Sequence, residues 1–434
     1  MSSTSDHDLA EMVRRYLGTG RFLLVMDDVW GVEDWNALRD VLPKSNRMAT
    51  TREKFFFQEI KTQGVFEIEK CRRVCIHSNL SEFLSLGPKG PGIRSFLCFN
   101  KEPTLLDPKY TLAIPDGFKL LRVLESKPIK FHQFPKGITK LIHLRYITLS
   151  GDNLRVLPEA ISELWNLQTI VVDTKSRQIT VKANIWRMIQ LRHLKTTAPI
   201  VLEIKGEGEG GENLQTLSRL SPEYCTNYVF NRARNIKTLG IFGKLASLVD
   251  ANSLTKLHRL EKLKLVNDII YESASQYRLN GLPQANCFPP NLKRLTLSAT
   301  FLDWNHMSTL AKIGTLEALK LKENAFIGKF WNAVGDGFHS LHFLLIAETD
   351  LAYWEASTEY FPILRCLVLK NCGNLKRIPV GLAKSLQALD IERVCKSAVE
   401  SARKIEEEIR WMQGRGKHER LRGGFKLSVG PGCE

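Results

Sequence analysis

The chain has 434 residues, enough for two or three ordinary domains or for one small domain followed by a repeat array. Hydrophobic residues make up 43% and charged residues 25%, a composition that excludes an intrinsically disordered protein. The formal net charge is +16, with the basic excess after Lys70, and this charge favours acidic partners.

The beginning of the chain carries no sign of export or of a membrane span. Its first ten residues are polar and include two acids, unlike a secretory signal. The longest early apolar run, residues 22–26, is far shorter than the roughly 20 residues that a spanning helix needs. Nine scattered cysteines without zinc-ligand spacing indicate reduced thiols and no metal site. We therefore expect a cytoplasmic protein, or one held peripherally at a membrane.

The first 56 residues have the pattern of a small α/β unit. An apolar strand predicted at residues 22–26 ends in Asp27 and Asp28, between two stretches with helical spacing. Acids at the carboxyl end of such a strand suit magnesium and phosphate chemistry. Without further context, a helix cap or a turn is the more common explanation of paired aspartates.

From about residue 93 onward, a short leucine motif dominates the chain. The pattern L-x-x-L, with Leu or Ile at both anchors, recurs twelve times at a spacing of 22 to 25 residues, except for one step of 32. The long step contains four Gly or Pro residues within 271–290, so we interpret it as a loop insertion. The first anchors are Leu121, Leu144, Leu167, Leu191, Leu214, Ile236, Leu260, Leu292, Leu316, Leu341, Leu364 and Leu386.

Details of single units support a leucine-rich-repeat solenoid. The unit that begins at Leu364 fits L-x-x-L-x-L-x-x-C-x-x-L, which assigns Cys372 a structural role beside buried backbone groups. Pro135 and Pro158 occupy equivalent positions of two successive units, where a return segment begins. Residues 73–76 and 93–99 resemble degenerate first coils that cap the array.

Stacked coils of this kind present a concave sheet, on which the residues between the leucines face outward. Many of these residues are basic, and we predict that they dock an acidic protein surface; a merely solvated face is the alternative. The predicted partner-binding residues are Arg145, Arg192, Lys195, Lys237, Lys262, Lys264, Lys293, Arg294, Lys320 and Arg365.

The end of the chain changes character after Asp390. Residues 397–412 have an apolar face formed by Ala398, Ala402, Ile405 and Ile409, which predicts an amphipathic helix that caps the last repeat. The last stretch, 414–434, mixes Gly with basic residues and is predicted to be flexible. The predicted domains are 1–56 (α/β remnant), 57–92 (junction and cap), 93–395 (solenoid) and 396–434 (cap helix and tail).

Several motifs resemble those of a known family. RFLLVMDDVW at 21–30 and NRMATTR at 46–52 resemble two nucleotide-binding motifs of plant intracellular nucleotide-binding, leucine-rich-repeat disease resistance proteins. The stretch 72–99 resembles the junction of their late-blight-resistance subgroup. The resemblance implies that Asp27 matches the magnesium-side aspartate, Asp28 the catalytic one, and Arg52 the arginine that senses nucleotide state.

The chain also departs from the family pattern, and we expect it to be a truncated member. No G-x-x-x-x-G-K-[ST] loop occurs to cradle phosphates, and the family's later nucleotide-binding motifs are missing between Glu53 and the junction. We therefore predict no enzymatic activity and no bound cofactor; ADP or ATP with magnesium is implied only for a full-length member.

The predicted function is recognition in plant immunity. The repeats would bind a pathogen effector, a guarded host protein or another immune receptor. A nucleotide switch, if further sequence supplies the phosphate loop, and an inert product of a degraded gene are the alternatives. Specific nucleic-acid binding is not expected, because the basic residues lack a series of stacking aromatic residues.

Overall fold

The chain forms two compact units, Met1–Phe56 and Phe57–Glu434. The computed structural model describes parts of the second unit. These are the backbone of 57–60 and residues 71–203, 210–247, 251–268, 279, 281–414 and 424–432. The predicted strand at 22–26, with Asp27, Asp28 and Arg52, lies outside the described residues, as does much of the predicted insertion.

Parallel strands dominate the second unit, as the repeat pattern predicts. In chain order they are β1 Phe57–Ile60, β2 Arg73–Ile76, β3 Ser95–Cys98, β4 Thr104–Leu105, β5 Val123–Lys130, β6 Tyr146–Gly151, β7 Val156–Leu157, β8 Thr169–Thr174, β9 Ile179–Val181, β10 His193–Thr196, β11 Ile200–Leu202, β12 Thr216–Leu220, β13 Thr238–Gly243, β14 Lys262–Asn267, β15 Arg294–Ser298, β16 Leu302–Asp303, β17 Ala318–Lys322, β18 Phe326–Ile327, β19 Phe330–Ala333, β20 Phe343–Ala347, β21 Tyr353–Ala356, β22 Cys366–Lys370, β23 Ala388–Glu392 and β24 Lys426–Val429.

Helices in the described residues are short, apart from the last one. The α-helices are α1 Leu80–Ser85, α2 Ala113–Gly117, α3 Asn227–Arg232, α4 Met307–Ala311 and α5 Lys396–Gly414. The 3-10 helices are Pro108–Tyr110, Lys136–Lys140, Glu159–Glu163, Pro222–Tyr224, Leu245–Ser247, Ala251–Lys256, Ala285–Cys287, Trp304–His306 and Val380–Lys384. Pro135 and Pro158 each lie directly before a 3-10 helix, where the return segment was predicted to begin.

The strands of the main ladder pair one coil with the next. Its order is β1-β2-β3-β5-β6-β8-β10-β12-β13-β14-β15-β17-β20-β22-β23-β24, every pair being parallel. With β4, β7, β9 and β11, it makes up a 20-stranded sheet in the described part of the chain. The degenerate coils predicted at 73–76 and 93–99 are therefore confirmed as part of the array.

The repeated leucines form the core. All twelve first anchors are at most 2% exposed. The second leucine of each motif pairs in register with that of the next coil, as in Leu295↔Leu319 and Leu319↔Leu344. Burying one such side chain contributes about 1.5–3 kcal/mol, so the solenoid owes its stability to stacking between coils.

A second set of contacts joins the coils near the first anchors. At seven of the twelve anchors, the residue before the anchor donates a side-chain hydrogen bond to a carbonyl of the preceding coil. Asn166 donates to Ile142 O at 3.0 Å, and Asn213 donates to Ile189 O at 2.7 Å. These bonds satisfy backbone carbonyls that lie outside the strand ladder, and they fix the stagger of neighbouring coils.

Cys372 has the structural role that its repeat position predicts. Its side chain is fully buried, and its single thiol proton has two carbonyl acceptors within reach, Lys370 O at 3.3 Å and Ile346 O at 3.6 Å. Burial raises the pKa of this thiol to about 12, which keeps it a neutral donor at physiological pH.

The carboxyl-terminal helix is confirmed, and the prediction for the tail is partly wrong. In α5 the predicted face of Ala398, Ala402, Ile405 and Ile409 is buried. The tail was predicted to be flexible, but β24 extends the main ladder by pairing with β23. The open edge of a sheet offers unpaired backbone groups, which explains why a short segment without a first anchor forms a strand there.

Candidate protein-binding surface

The concave face is the side of the main ladder whose side chains alternate with the buried leucines. Along each strand, one outward residue lies before the second leucine of the motif and another lies after it. In β14 these are Lys262 and Lys264, on either side of Leu263. The parallel register aligns them with Arg294 and Thr296 of β15, so the outward residues form two continuous rows across the coils.

All ten basic residues predicted from the sequence are exposed. They differ in position, since Arg145, Arg192, Lys237, Lys293 and Arg365 each lie one residue before a strand. The other five lie within strands and belong to the two rows: Lys195, Lys262, Lys264, Arg294 and Lys320. Partner binding by these residues remains a prediction.

Four of the ten converge on one shallow concavity. We call Lys262, Lys264, Arg294 and Lys320 the basic block; they line a volume of about 200 Å³ together with Thr238, Thr296 and neighbouring apolar side chains. No acidic residue is among the lining residues. Gly240, the register partner of Lys264, has no side chain, and a Cβ there would overlap the backbone of Ser218 in β12.

One member of the basic block, Lys264, lies close enough to other charges for its pKa to change. Partial burial lowers the pKa of Lys264, and the positive charges of Arg219 and Lys322 lower it further, whereas Glu323 raises it. In the described part of the chain, none of the four cations has an acidic group within 4.0 Å. The positive charges around Lys264 disfavour the folded state, and the four cations of the basic block favour an anionic ligand.

Arg219 was missed by the sequence analysis. The register between β12 and β13 shifts between Leu217 and Leu220, so two residues of β12 occupy the place of one. Arg219 lies in this bulge with its guanidinium 4.4 Å from the centroid of the Phe242 ring. The sequence does carry a signal for this bulge. Leu217 and Leu220 are three positions apart, whereas the corresponding leucines of other motifs, such as Leu263 and Leu265, are two positions apart.

The remaining predicted cations do not join the block. Lys293 forms an ion pair with Glu317 at 3.1 Å, and half-exposed pairs of this kind contribute little to stability. Arg192 and Lys195 flank His193, whose pKa is lowered by burial and then by these two charges. The ten predicted partner-binding residues therefore comprise one dense cluster, the basic block, and scattered positive charges on other coils.

The described residues contain neither a metal-binding cluster nor a membrane-spanning helix. No group of three or more His, Cys, Asp or Glu residues there is arranged to hold a metal ion. No described helix is both long and apolar enough to cross a membrane.

Comparison with known proteins agrees with the resemblance drawn from the motifs. Residues 92–411 match the family model of the leucine-rich repeat region, and residues 1–71 match that of the NB-ARC domain. A putative late blight resistance protein homolog of Solanum demissum is 31% identical over 307 residues. The chain belongs to the family of NB-ARC, leucine-rich-repeat disease resistance proteins.

The relatives of this leucine-rich-repeat chain are longer than the chain itself. The match to the Solanum demissum homolog covers 67% of the chain but 22% of that protein. The disease resistance protein RPH8A of Arabidopsis thaliana is 25% identical over 428 residues, which cover 90% of the chain and 46% of that protein. Among solved structures, a leucine-rich-repeat protein of Leptospira interrogans aligns with a TM-score of 0.42 and 16% identity, over 78% of this chain and 88% of that one.

Proposed function

We propose that this chain is a recognition module of plant immunity that binds a protein partner through its concave face. The relatives named disease resistance proteins support the immune role. The basic block carries the proposal for the surface, since four exposed cations around one concavity, without an acid in its lining, are complementary to an anionic partner. A pathogen effector, a guarded host protein and another immune receptor are the proposed classes of partner.

Charge reversal tests this proposal with a matched control. One variant carries Lys262→Glu, Lys264→Glu, Arg294→Glu and Lys320→Glu, which reverse the basic block. The control carries Lys119→Glu, Lys256→Glu, Lys312→Glu and Lys384→Glu, which change the net charge equally at exposed positions outside the strands and outside the predicted partner-binding residues. Both are expressed in infected leaves with the wild-type chain, and proteins cross-linked to each are identified by mass spectrometry.

Partners cross-linked to the wild-type chain and to the control, but not to the block variant, are the expected result. Their capture is expected to weaken as salt is added, because exposed charges are screened. Equal capture by all three chains would contradict the proposal. Equal loss in both variants would show attraction by net charge alone and would also contradict it.

We further propose that the chain acts by contact alone, without catalysis and without a bound nucleotide. The absence of a phosphate-binding loop from the 434 residues supports this. A nucleotide switch is the second candidate, because residues 1–71 match the NB-ARC domain. Calorimetry with ADP and magnesium separates the two, and binding that Asp27→Ala abolishes would establish the switch.

A further inference from the structure

The concave face changes its chemistry beyond the basic block. Next to β17, the two outward rows continue with Phe343 and Leu345 of β20, then with Cys366 and Val368 of β22. Ala388 follows in β23. We call these five residues the apolar block; all are half-buried except Val368, which is 8% exposed.

The two blocks meet at a defined boundary. Lys320 and Leu345 are register partners on neighbouring strands, and Lys320 Nζ lies 5.4 Å from the centroid of the Phe343 ring. At the far side of the apolar block, Asp390 follows Val368 in the register. Within the two rows, the run of cations thus ends at β17 and apolar side chains fill the next two strands; the next cation in the rows is Lys426 of β24.

We infer that the partner presents an acidic group and a bulky apolar group at a fixed separation, side by side on one polypeptide segment. This inference rests on the proposed function and specifies the partner of the same surface. Neighbouring strands lie about 4.8 Å apart, and the middle strands of the two blocks, β15 and β22, are three strands apart, so the block centres are separated by about 14 Å. An extended segment that crosses the strands covers this distance in about four residues.

Each block needs the other for a specific complex. Exposed charges attract many anions but contribute little affinity individually, because water and salt screen them. The apolar block supplies contact area that becomes dry when covered, and such buried apolar centres carry most of the affinity in protein interfaces. An acidic segment without the apolar group fits only half of this surface.

A random peptide library displayed on phage and selected on the full chain tests this inference. Selected peptides are expected to combine an acidic cluster with an aromatic or branched apolar residue about four positions away. Inserting four residues between the acidic cluster and the apolar residue of a selected peptide is expected to weaken binding at least about tenfold, since one block then loses its contact. Selection of peptides that carry only one of the two groups would overturn the inference.

Paired variants assign the two contacts. Lys262→Glu with Arg294→Glu, and separately Phe343→Gln with Leu345→Gln, are each expected to weaken a selected peptide at least about tenfold. The controls are Lys119→Glu with Lys384→Glu, at exposed positions outside the strands, and Val123→Gln with Val171→Gln, at half-buried positions on earlier coils. Circular dichroism and urea unfolding confirm that each variant folds.

The outcomes separate this inference from the proposed function. If Phe343→Gln with Leu345→Gln leaves peptide affinity unchanged, the two-block inference is wrong. This holds even when the capture of leaf proteins still depends on the basic block. If the peptides behave as expected but no leaf protein depends on the basic block, the inference holds for the surface and the immune role is wrong.

Discussion

At the scale of single residues, Lys264 shows that the concave face is not optimised for stability. Its pKa is lowered by burial and then by Arg219 and Lys322, so the folded state disfavours its charge. Such a residue reduces the free energy of unfolding at neutral pH while it increases attraction for an anion. Surfaces that bind partners commonly keep residues of this kind.

Lys264→Gln is therefore expected to raise or preserve the urea midpoint of unfolding at low salt. The control, Lys237→Gln, is expected to leave this midpoint unchanged. Between the lowered pKa and the ordinary lysine value, the unfolded chain binds more protons, so wild-type stability rises with pH in that window. The difference in urea midpoint between the wild-type chain and Lys264→Gln should shrink in this pH window, and it should also shrink in added salt. A lower midpoint for Lys264→Gln at neutral pH would contradict this account.

The outward residues also show what the sequence could predict. Exposure of the five cations within strands followed from their places beside a buried leucine, because side chains in a strand alternate between two faces. Their clustering did not follow, since it depends on which coils are neighbours and on the register. Arg219 required knowledge of a bulge, which only the pairing of β12 with β13 shows.

At the scale of elements, the repeated strands were predictable and the segments between them were not. One leucine period specifies every strand of the repeat, so a single pattern predicts twelve coils. The small pairs β16–β18 and β19–β21 have no such period. Their stacked Trp331 and Trp354, 4.9 Å apart, were identified only in the structure. Strand β24 was missed because it lacks the first anchor of the motif.

The cap helix α5 provides a prediction at this scale. Ile405 is fully buried at the end of the array, and Ile405→Ala is expected to lower the free energy of unfolding by about 2–5 kcal/mol. Lys404→Ala, at the exposed neighbouring position, should change it by less than about 0.5 kcal/mol. Urea unfolding followed by circular dichroism measures both.

Hydrogen exchange locates the effect of the same substitution. Since each coil is stabilised by its neighbours, loss of the cap should first expose the amides of β23 and β24. Uniform loss of protection along the whole array would show that the helix supports the entire solenoid rather than its last coils.

At the scale of the whole molecule, charge and apolar contact act at different stages of binding. The net charge of +16 and the basic block attract an acidic partner over a distance, which raises the rate of association. The apolar block acts only after contact, when its side chains lose water, so it governs how slowly the complex separates. The arrangement of both blocks on adjacent strands lets one encounter use both stages.

Binding kinetics of a selected peptide should separate these contributions. Lys262→Glu with Arg294→Glu is expected to slow association about tenfold at low salt and to flatten its dependence on ionic strength. Phe343→Gln with Leu345→Gln should speed dissociation about tenfold and leave association within about twofold. Surface plasmon resonance at several salt concentrations measures both rates. If Phe343→Gln with Leu345→Gln slowed association as much as Lys262→Glu with Arg294→Glu does, the two blocks would act as a single contact. Separate roles of charge in association and of apolar contact in dissociation would then be wrong.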